Sequence, residues 1–269
     1  FTAGTVAGTY TDTVRVSQGS LSVTATVTVV PGAAETLNIS PTSANVLPGG
    51  TQDFTASVLD AYGNERDDAL TWRVQAGGGT IDASGQFTAN TVAGTYTDTI
   101  IVSAAGLSNT ASIVISPGEV TSLSIAPVNV TLTPTQTQAY TAVATDVYGN
   151  ISSLSPSWTV ISGGGTIDGT GLFTAGTTAG TYEDTVQATL GTLTATASVD
   201  VVAGEASDLL ITPTSANLLP GDEQNFTATL QDAWGNELEE PQVWSVDPLV
   251  GTIDSDGLFT AGTVAGTYL

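Results

Sequence analysis

The ten residues FTAGTVAGTY occupy positions 1–10 of the chain and return unchanged at positions 259–268. Two near-copies lie between them, FTANTVAGTY at 87–96 and FTAGTTAGTY at 173–182. The four phrases therefore begin 86 residues apart, at positions 1, 87, 173 and 259. Self-similarity at a fixed period is typical of tandem repeats, so the phrase predicts one structural unit in every period.

Three further landmarks keep the same period. They are the phrases DAYGN, DVYGN and DAWGN starting at Asp60, Asp146 and Asp232, the tryptophans Trp72, Trp158 and Trp244, and the steps Pro31-Gly32, Pro117-Gly118 and Ala203-Gly204. Pro-Gly and similar steps mark turns, so we place the domain boundaries there. Residues 33–118 and 119–204 are predicted to be whole domains. Residues 1–32 are predicted to be the last strands of a domain, and residues 205–269 the earlier strands of another that lacks its last strands.

Apolar residues alternate with Ser and Thr within each segment. Residues 21–29, LSVTATVTV, place Leu, Val and Ala on one face and Ser and Thr on the other. Such alternation is typical of a half-buried antiparallel strand. In the first whole segment it predicts strands over residues 37–40, 53–59, 70–74, 96–103 and 107–116. About seven short strands per period, without a helical stripe, predict an all-β protein of tandem antiparallel β-sandwiches.

The balance of charges excludes several classes of function. The 269 residues include 26 carboxylates against three basic side chains, Arg15, Arg66 and Arg73, for a formal net charge of −23. Binding to nucleic acids and to anionic membranes requires basic residues, so neither nucleic-acid binding nor membrane insertion is expected. With 41% apolar and 11% charged residues, the chain is predicted to fold rather than remain disordered.

All 17 aromatic residues fall at five positions of the repeat. A requirement that recurs in every copy is typical of a structural core, whereas a ligand site usually occupies one copy. The predicted core residues are Trp72, Trp158, Trp244, Phe54, Tyr140, Phe226, Tyr96 and Tyr182. The column Tyr62, Tyr148 and Trp234 lies at the D-x-x-G-N turn and is predicted to be partly exposed.

The ordered series of motifs resembles the bacterial immunoglobulin-like domains, the Big families and particularly group 2. The resemblance lies in L-x-I-x-P over residues 37–41, F-T-A over 54–56, D-x-Y-G-N over 60–64, and G-T-I-D-x-S-G-x-F-T-A over 79–89. It covers the chain once per repeat. It implies an Ig-like fold in an extracellular stalk, and it likens Trp72 to the strand-C tryptophan of immunoglobulin sandwiches, without their disulfide.

The residue types available argue against catalysis. The chain has no His, Cys or Lys, so the usual bases and thiol of nucleophilic catalysis are missing, as are the ligands of His/Cys zinc sites. Paired carboxylates could serve a glycosidase, but Asp60 and Asp82 recur in every repeat like structural residues. We therefore predict that the protein is not an enzyme.

Calcium is the cofactor that the sequence leaves open. The weak Ca²⁺ candidates are Asp82, Asp168, Asp254 and Asp256. They lie in D-x-x-G phrases, which are typical of tight turns in which Asp accepts backbone N–H bonds and Gly takes a positive φ. Each phrase offers one or two carboxylates, fewer than a calcium loop uses. A structural turn is the favoured interpretation, and no cofactor is expected.

The two ends of the chain complement each other. Residues 1–32 hold strands that residues 205–269 lack, and the apolar face for this pairing consists of Leu21, Val23, Ala25, Val27 and Val29. A lone hairpin is marginal in water, so each end is expected to need a neighbour. Either the chain is a segment of a longer array, or the head of one copy completes the tail of the next by strand addition. The shared FTAGTVAGTY favours the longer array, because strand exchange would fill that stretch twice.

These observations predict a structural repeat protein of an extracellular filament, stalk or surface fibre. Its expected partners are copies of itself or adjacent repeats, arranged head to tail. The alternative is a fragment of an adhesin that binds carbohydrate or a cell-surface receptor through the exposed aromatic column.

Overall fold

The computed structural model describes residues 1–268, and within that range every regular element is a strand. None of the described residues belongs to a helix that could cross a bilayer. The chain divides into two compact units: Phe1–Ser122 with Thr145–Ser152, and Leu123–Ala144 with the described residues from Ser153 onward. Each sheet draws its strands from one 86-residue segment of the sequence. The chain is an all-β protein of tandem β-sandwich repeats, as the alternation predicts.

The segment 33–118 contains ten strands. They are β3 (Ala34–Ser40), β4 (Ser43–Val46), β5 (Thr51–Asp53), β6 (Thr55–Asp60), β7 (Glu65–Arg66), β8 (Thr71–Val74), β9 (Gly79–Ile81), β10 (Gln86–Ala89), β11 (Gly94–Ala104) and β12 (Leu107–Ile115). One sheet has the order β4-β12-β11-β8, and two three-stranded sheets have the orders β3-β6-β7 and β5-β10-β9. Apolar residues from all three sheets form one buried cluster, so the sheets pack face to face as a sandwich.

Two features of this segment differ from the sequence prediction. The strand predicted over residues 53–59 is interrupted at Phe54, because its N–H donates to the carbonyl of Gly85 (2.8 Å) instead of joining a ladder. The chain changes sheets there, since β5 pairs with β10 and β6 pairs with β3. In addition, β4 pairs with β12 in parallel, although the other pairs of the segment are antiparallel.

The segment 119–204 repeats this arrangement. Its strands are β13 (Val120–Ala126), β14 (Asn129–Leu132), β15 (Thr137–Ala139), β16 (Thr141–Asp146), β17 (Ser157–Val160), β18 (Gly165–Ile167), β19 (Leu172–Ala175), β20 (Gly180–Leu190) and β21 (Leu193–Val201). The four-stranded sheet has the order β14-β21-β20-β17, beside β13-β16 and β15-β19-β18. A second buried cluster, which includes Tyr140, Phe173 and Val199, lies between the sheets.

The two remaining segments hold complementary parts of the same sandwich. Residues 1–32 form only the hairpin β1 (Gly8–Gln18) and β2 (Leu21–Val29), the counterpart of β11 and β12. Residues 205–268 form β22 (Ala206–Thr212), β23 (Glu223–Asn225), β24 (Thr227–Asp232), β25 (Glu237–Leu238), β26 (Gly251–Ile253) and β27 (Leu258–Ala261). These strands build the sheets β22-β24-β25 and β23-β27-β26 but no four-stranded sheet.

Candidate functional site: the junction between repeats

The D-x-x-G-N loop that follows β6, β16 and β24 is built around a buried aspartate. Asp60 accepts hydrogen bonds at Oδ1 from the backbone N–H groups of Tyr62 and Asn64, both at 2.9 Å. The loop is closed by the N–H of Gly63, which donates to the Asp60 carbonyl at 3.0 Å. Gly63 has φ +80°, a conformation that favours glycine. The phrase therefore specifies a rigid Asx-type turn.

The second carboxylate oxygen of this aspartate organises the boundary between segments. Asp60 Oδ2 accepts from the N–H of Gly32 at 2.7 Å and from Asn64 Nδ2 at 2.8 Å. One buried side chain thus fixes the Pro-Gly step and orients the asparagine amide. The same contacts recur around Asp146, with Gly118 and Asn150, and around Asp232, with Gly204 and Asn236.

The oriented asparagine then reaches into the preceding repeat. Asn64 Oδ1 accepts from the N–H of Ala7, and Asn64 Nδ2 donates to the carbonyl of Thr5, both at 2.8 Å. The side-chain amide therefore pairs at two points with backbone of the FTAGTVAGTY phrase. Asn150 makes the same two bonds with Ala93 and Thr91, and Asn236 makes them with Ala179 and Thr177. We call this set of Asp and Asn contacts the junction clamp.

The junction clamp lowers the pKa of its aspartates. Burial raises the pKa of Asp146, but the Asn150 side chain and the N–H groups of Gly118, Asn150 and Tyr148 outweigh it and lower that pKa to about 2. For Asp232, the balance of burial against its four hydrogen bonds also gives a pKa of about 2. The amide of Asn64, followed by the N–H of Gly32, lowers the pKa of Asp60 well below its usual range. All three are therefore ionised near neutral pH.

The first junction has one additional contact. Arg66 donates from Nη1 to the carbonyl of Gly32, and its Nε lies 2.7 Å from Asp68 Oδ2. The corresponding residues of the next two repeats are Ser152 and Leu238, so the arginine belongs to one junction and the Asp–Asn pair to all of them.

The aromatic column inside the D-x-x-G-N loop points away from the core. Tyr62, Tyr148 and Trp234 are exposed to 69%, 55% and 49%. Their N–H groups hold the loop aspartates, so the loop conformation depends on the backbone of these positions while the rings remain accessible.

The predicted core residues of the sandwiches are buried to different degrees. Phe54 and Tyr140 are buried, whereas Trp72, Trp158, Tyr96 and Tyr182 are half-buried and pack on the core clusters. Each tryptophan of the two whole segments has a neighbour in the buried aromatic, with ring centroids 6.5 Å apart in both Phe54–Trp72 and Tyr140–Trp158. In the last segment Phe226 is half-buried where Phe54 and Tyr140 are buried, because this segment forms no four-stranded sheet, and Trp244 is half-buried like the other two tryptophans.

The aspartates considered as calcium ligands accept hydrogen bonds within tight turns. Asp82 Oδ1 accepts from the N–H of Ser84, the hydroxyl of Ser84 and the N–H of Gln86, at 2.7–2.9 Å. Asp168 makes the same contacts with Thr170 and Leu172. Asp254 Oδ1 accepts from the N–H groups of Asp256 and Leu258. Within residues 1–268, no three acidic side chains are grouped so that they could hold a metal ion.

The sequence pattern singles out the D-x-x-G-N phrase but does not indicate what its asparagine does. The signal is present, because Asn64, Asn150 and Asn236 keep the 86-residue period together with the T-x-A stretches that they bind at residues 5–7, 91–93 and 177–179. The contact itself could not be predicted, because 57 residues separate Asn64 from Ala7 and no local pattern connects them.

No protein-family model matches the chain, and no curated protein matches it either. Solved structures do resemble it. The Escherichia coli adhesin FdeC is 22% identical, with 88% of this chain and 92% of that chain covered and a TM-score of 0.49. Domains 4–9 of the surface layer protein SbsC are 16% identical, with 87% and 44% covered and a TM-score of 0.34. The N-terminal eight Ig domains of DSCAM are 11% identical, with 87% and 32% covered and a TM-score of 0.39. With identities under 25% and TM-scores under 0.5, these similarities do not indicate a function for this chain. The functional proposal therefore rests on the junction contacts.

Proposed function

We propose that the chain is a structural module of an extracellular filament, stalk or surface fibre built from tandem Ig-like domains of the bacterial Big type. The observation that supports this proposal is the junction clamp, which recurs with the same bonds and distances at all three repeat boundaries. An extended array needs every boundary to be held in one geometry, whereas a binding or catalytic site needs a special feature in one place.

The chemistry of the clamp suits this role. Hydrogen bonds to a charged acceptor contribute about 1.5–3 kcal/mol each, and breaking one leaves a buried charge without compensation. The aspartate is buried and ionised, so the amide that it orients is held firmly. Boundaries between domains are usually mobile unless the interface is extensive, and the clamp restrains this boundary with a few directional bonds.

Composition supports the remaining parts of the proposal. A net charge of −23 keeps the exposed surface soluble and suits an extracellular material. It does not suit a protein that binds nucleic acid or anionic membranes. The lack of Met and Cys removes the side chains most prone to oxidation. We propose that the role is structural and not catalytic, that it needs no cofactor, and that the partners are adjacent repeats or further copies of the chain.

The experiment removes one clamp and leaves the domains intact. Spin labels at Ser108→Cys and Thr194→Cys, both exposed, report the distance distribution between segments 33–118 and 119–204. Asn150→Ala should broaden this distribution several-fold without changing the unfolding of either segment. The matched control is Asn129→Ser, because the first repeat has Ser43 at that position. An unchanged distribution in Asn150→Ala would contradict the proposal.

An adhesin is the second candidate, favoured by the exposed ring of Trp234 and the tyrosines in the same column. Aromatic rings at the surface can stack on sugars or on a receptor. If this is the function, a glycan or receptor preparation should quench tryptophan fluorescence, and Trp234→Ala should abolish the response. A Trp244→Ala variant, which alters the half-buried ring of the same segment, is the control.

A further inference from the structure

An early strand of each whole segment pairs directly with the last strand of the same segment. In the first whole segment β4 lies beside β12, with Val46 opposite Ile115. In the second, β14 lies beside β21, with Leu132 opposite Val201. Both pairs are parallel, so the beginning and the end of each segment run in the same direction along one ladder. We call these two parallel pairs the shear ladders.

The parallel direction decides how tension loads a shear ladder. Tension carried along the chain pulls a segment at its first residue and at its last residue. It therefore draws β4 backward, toward the start of the segment, and β12 forward, toward its end. Because the two strands are parallel, these pulls are opposite and lie along the strand axes. The strands are made to slide past each other, and the lateral hydrogen bonds between them are strained together instead of one after another.

Each shear ladder is closed by a hydrogen bond at both ends. At the start of the first ladder the N–H of Ser112 donates to the carbonyl of Thr42, and at its end the N–H of Ser116 donates to the carbonyl of Val46, both at 3.0 Å. The corresponding bonds of the second ladder, both 2.9 Å long, are Ser198 N–H to Val128 and Val202 N–H to Leu132. The bonds that share the load therefore extend along the whole pair in both segments.

Buried side chains lie against one face of each shear ladder. Val46, Ile113 and Ile115 are buried in the first, and their counterparts Leu132, Val199 and Val201 are buried in the second. Hydrogen bonds are stronger in surroundings of low dielectric, from which water is excluded. The packing of the core therefore hinders water from replacing these bonds when the strands are strained.

The beginning of the segment is held by the other sheet as well. β3 pairs with β6 over Ala34–Ser40. The side chain of Asn109 in β12 donates to the carbonyl of Leu37 in β3 at 2.8 Å. Directly ahead of β3, the N–H of Gly32 donates to Asp60 Oδ2 at 2.7 Å. Tension must therefore separate the beginning of the segment from both sheets of the sandwich before the fold opens.

We propose that the two whole segments bear tension, and that the shear ladders β4–β12 and β14–β21 set their resistance to it. Unfolding under force is governed by the rate of unfolding and not by the equilibrium stability. A sheared ladder slows this rate, because several bonds must break in one event. The inference rests on the proposed structural function and adds a mechanical role to it.

The first experiment pulls on one segment of the full chain in two directions by single-molecule force spectroscopy. The chain has no cysteine, so introduced cysteines serve as the attachment points. Ala33→Cys with Glu119→Cys, both exposed, loads segment 33–118 from end to end and shears its ladder.

The comparison variant carries Ala33→Cys with Ser108→Cys, which is also exposed. Ser108 lies near the beginning of β12, next to the residue that binds β3. Pulling at this point opens the β4–β12 ladder from one end, so that its bonds break in sequence. Because each bond alone contributes little, the unfolding force should be about threefold lower than in the end-to-end variant.

The second experiment strengthens one ladder at a time with a metal ion. Asn45→His with Val114→His places two imidazoles on exposed, directly opposite residues of the β4–β12 ladder. Thr80→His with Thr88→His does the same between β9 and β10, outside the shear ladder. The chain has no histidine of its own, so Ni²⁺ binds at the introduced pair. Urea unfolding should show that Ni²⁺ stabilises both variants, because it binds the folded segment.

Under force from residues 33 and 119, the two histidine variants should differ. Ni²⁺ should raise the unfolding force of the β4–β12 variant roughly 1.5-fold and leave that of the β9–β10 variant unchanged, and EDTA should reverse the increase. Equal unfolding forces in the two pulling directions, or equal effects of Ni²⁺ on the two variants, overturn the proposal. The Asn150→Ala measurement reports the boundary between segments without force, so its outcome is independent. A boundary held by the clamp, together with equal pulling forces, would leave the structural function standing and remove only the mechanical role.

Discussion

The whole segment 33–118 and the open segment 205–268 contain nearly the same motifs in different surroundings. In the first, Phe87 is fully buried, and Trp72 lies in strand β8 against β11. In the second, Phe259 is half-buried, and Trp244 lies in no strand. The sequences TWRV and VWSV around these tryptophans both fit a strand. Strand formation at this edge therefore depends on the neighbouring strand and not on the local sequence.

The tryptophan column offers the largest effect with which to test this comparison. Trp72→Ala should destabilise segment 33–118 by about 3 kcal/mol, because the ring packs over Phe54 and the Gly85 turn. Trp244→Ala should cost about 1 kcal/mol, because the ring lines an open cleft of its segment. Hydrogen exchange resolved by segment measures both values. Equal losses would mean that the β11–β12 hairpin contributes little to the environment of Trp72. A loss below about 1 kcal/mol at Trp72 would favour an exposed, binding role for this column.

The two whole segments differ at one buried aromatic position. Tyr140 stands where the other repeats have Phe54 and Phe226, and its hydroxyl is buried without a hydrogen-bond partner among the described residues. Burial raises the pKa of Tyr140 to about 12. Tyr140→Phe should therefore stabilise segment 119–204 by about 1 kcal/mol or more, because it removes an unsatisfied buried group. Phe54→Tyr is the reverse control and should destabilise segment 33–118, and a gain in stability there would contradict the explanation.

The parts of the molecule that the sequence predicts are those that rest on short-range patterns. Alternation in residues 21–29 predicts strand β2 and its apolar face, and the 86-residue period predicts that each sheet stays within one segment. The break at Phe54 could not be predicted, because it depends on a carbonyl of the distant Gly85. The short strand β4 was missed for a similar reason, since its parallel partner β12 lies more than 60 residues away.

The functional contacts also divide into those formed within one short phrase and those formed between distant phrases. The Asx turn of D-x-x-G-N is local, and the phrase indicates it. The role of Asn64 depends on pairing with Thr5 and Ala7 of the preceding repeat, which only the folded chain brings within 2.8 Å. A phrase that recurs in phase with another phrase is the signal to use in other repeat sequences, since two motifs with a shared period can meet at every boundary.

Acid offers a smaller effect, on the clamp rather than on the cores. The pKa of Asp146 is lowered to about 2 from an ordinary value near 4, so its ionised form is favoured by the folded junction. The stabilisation is present above about pH 4 and is lost as the pH falls through about 2. The distance distribution between Ser108→Cys and Thr194→Cys should therefore broaden between pH 4 and pH 2. Asp146→Asn should be broad already at neutral pH, and the exposed control Asp67→Asn should follow the wild type. Broadening above pH 5 would show that other groups govern the junction.

The smallest expected effect is that of Ca²⁺ on the D-x-x-G turn, which occurs in both segment 33–118 and segment 205–268. In segment 33–118, Asp82 Oδ1 is occupied by three hydrogen bonds, one of them from the Ser84 hydroxyl at 2.7 Å. In segment 205–268 the serine is replaced by Asp256, which supplies a second carboxylate beside Asp254 and no hydroxyl donor. Calcium needs several oxygen ligands, and two carboxylates on an exposed turn provide only weak binding. Amide chemical shifts of residues 254–257 should therefore respond to Ca²⁺ at about millimolar concentration, while those of residues 82–85 stay unchanged. Asp256→Ser, which restores the first turn's chemistry, should abolish the response. Equal shifts at both turns would mean that Ca²⁺ merely screens the acidic surface, and that the second carboxylate creates no site.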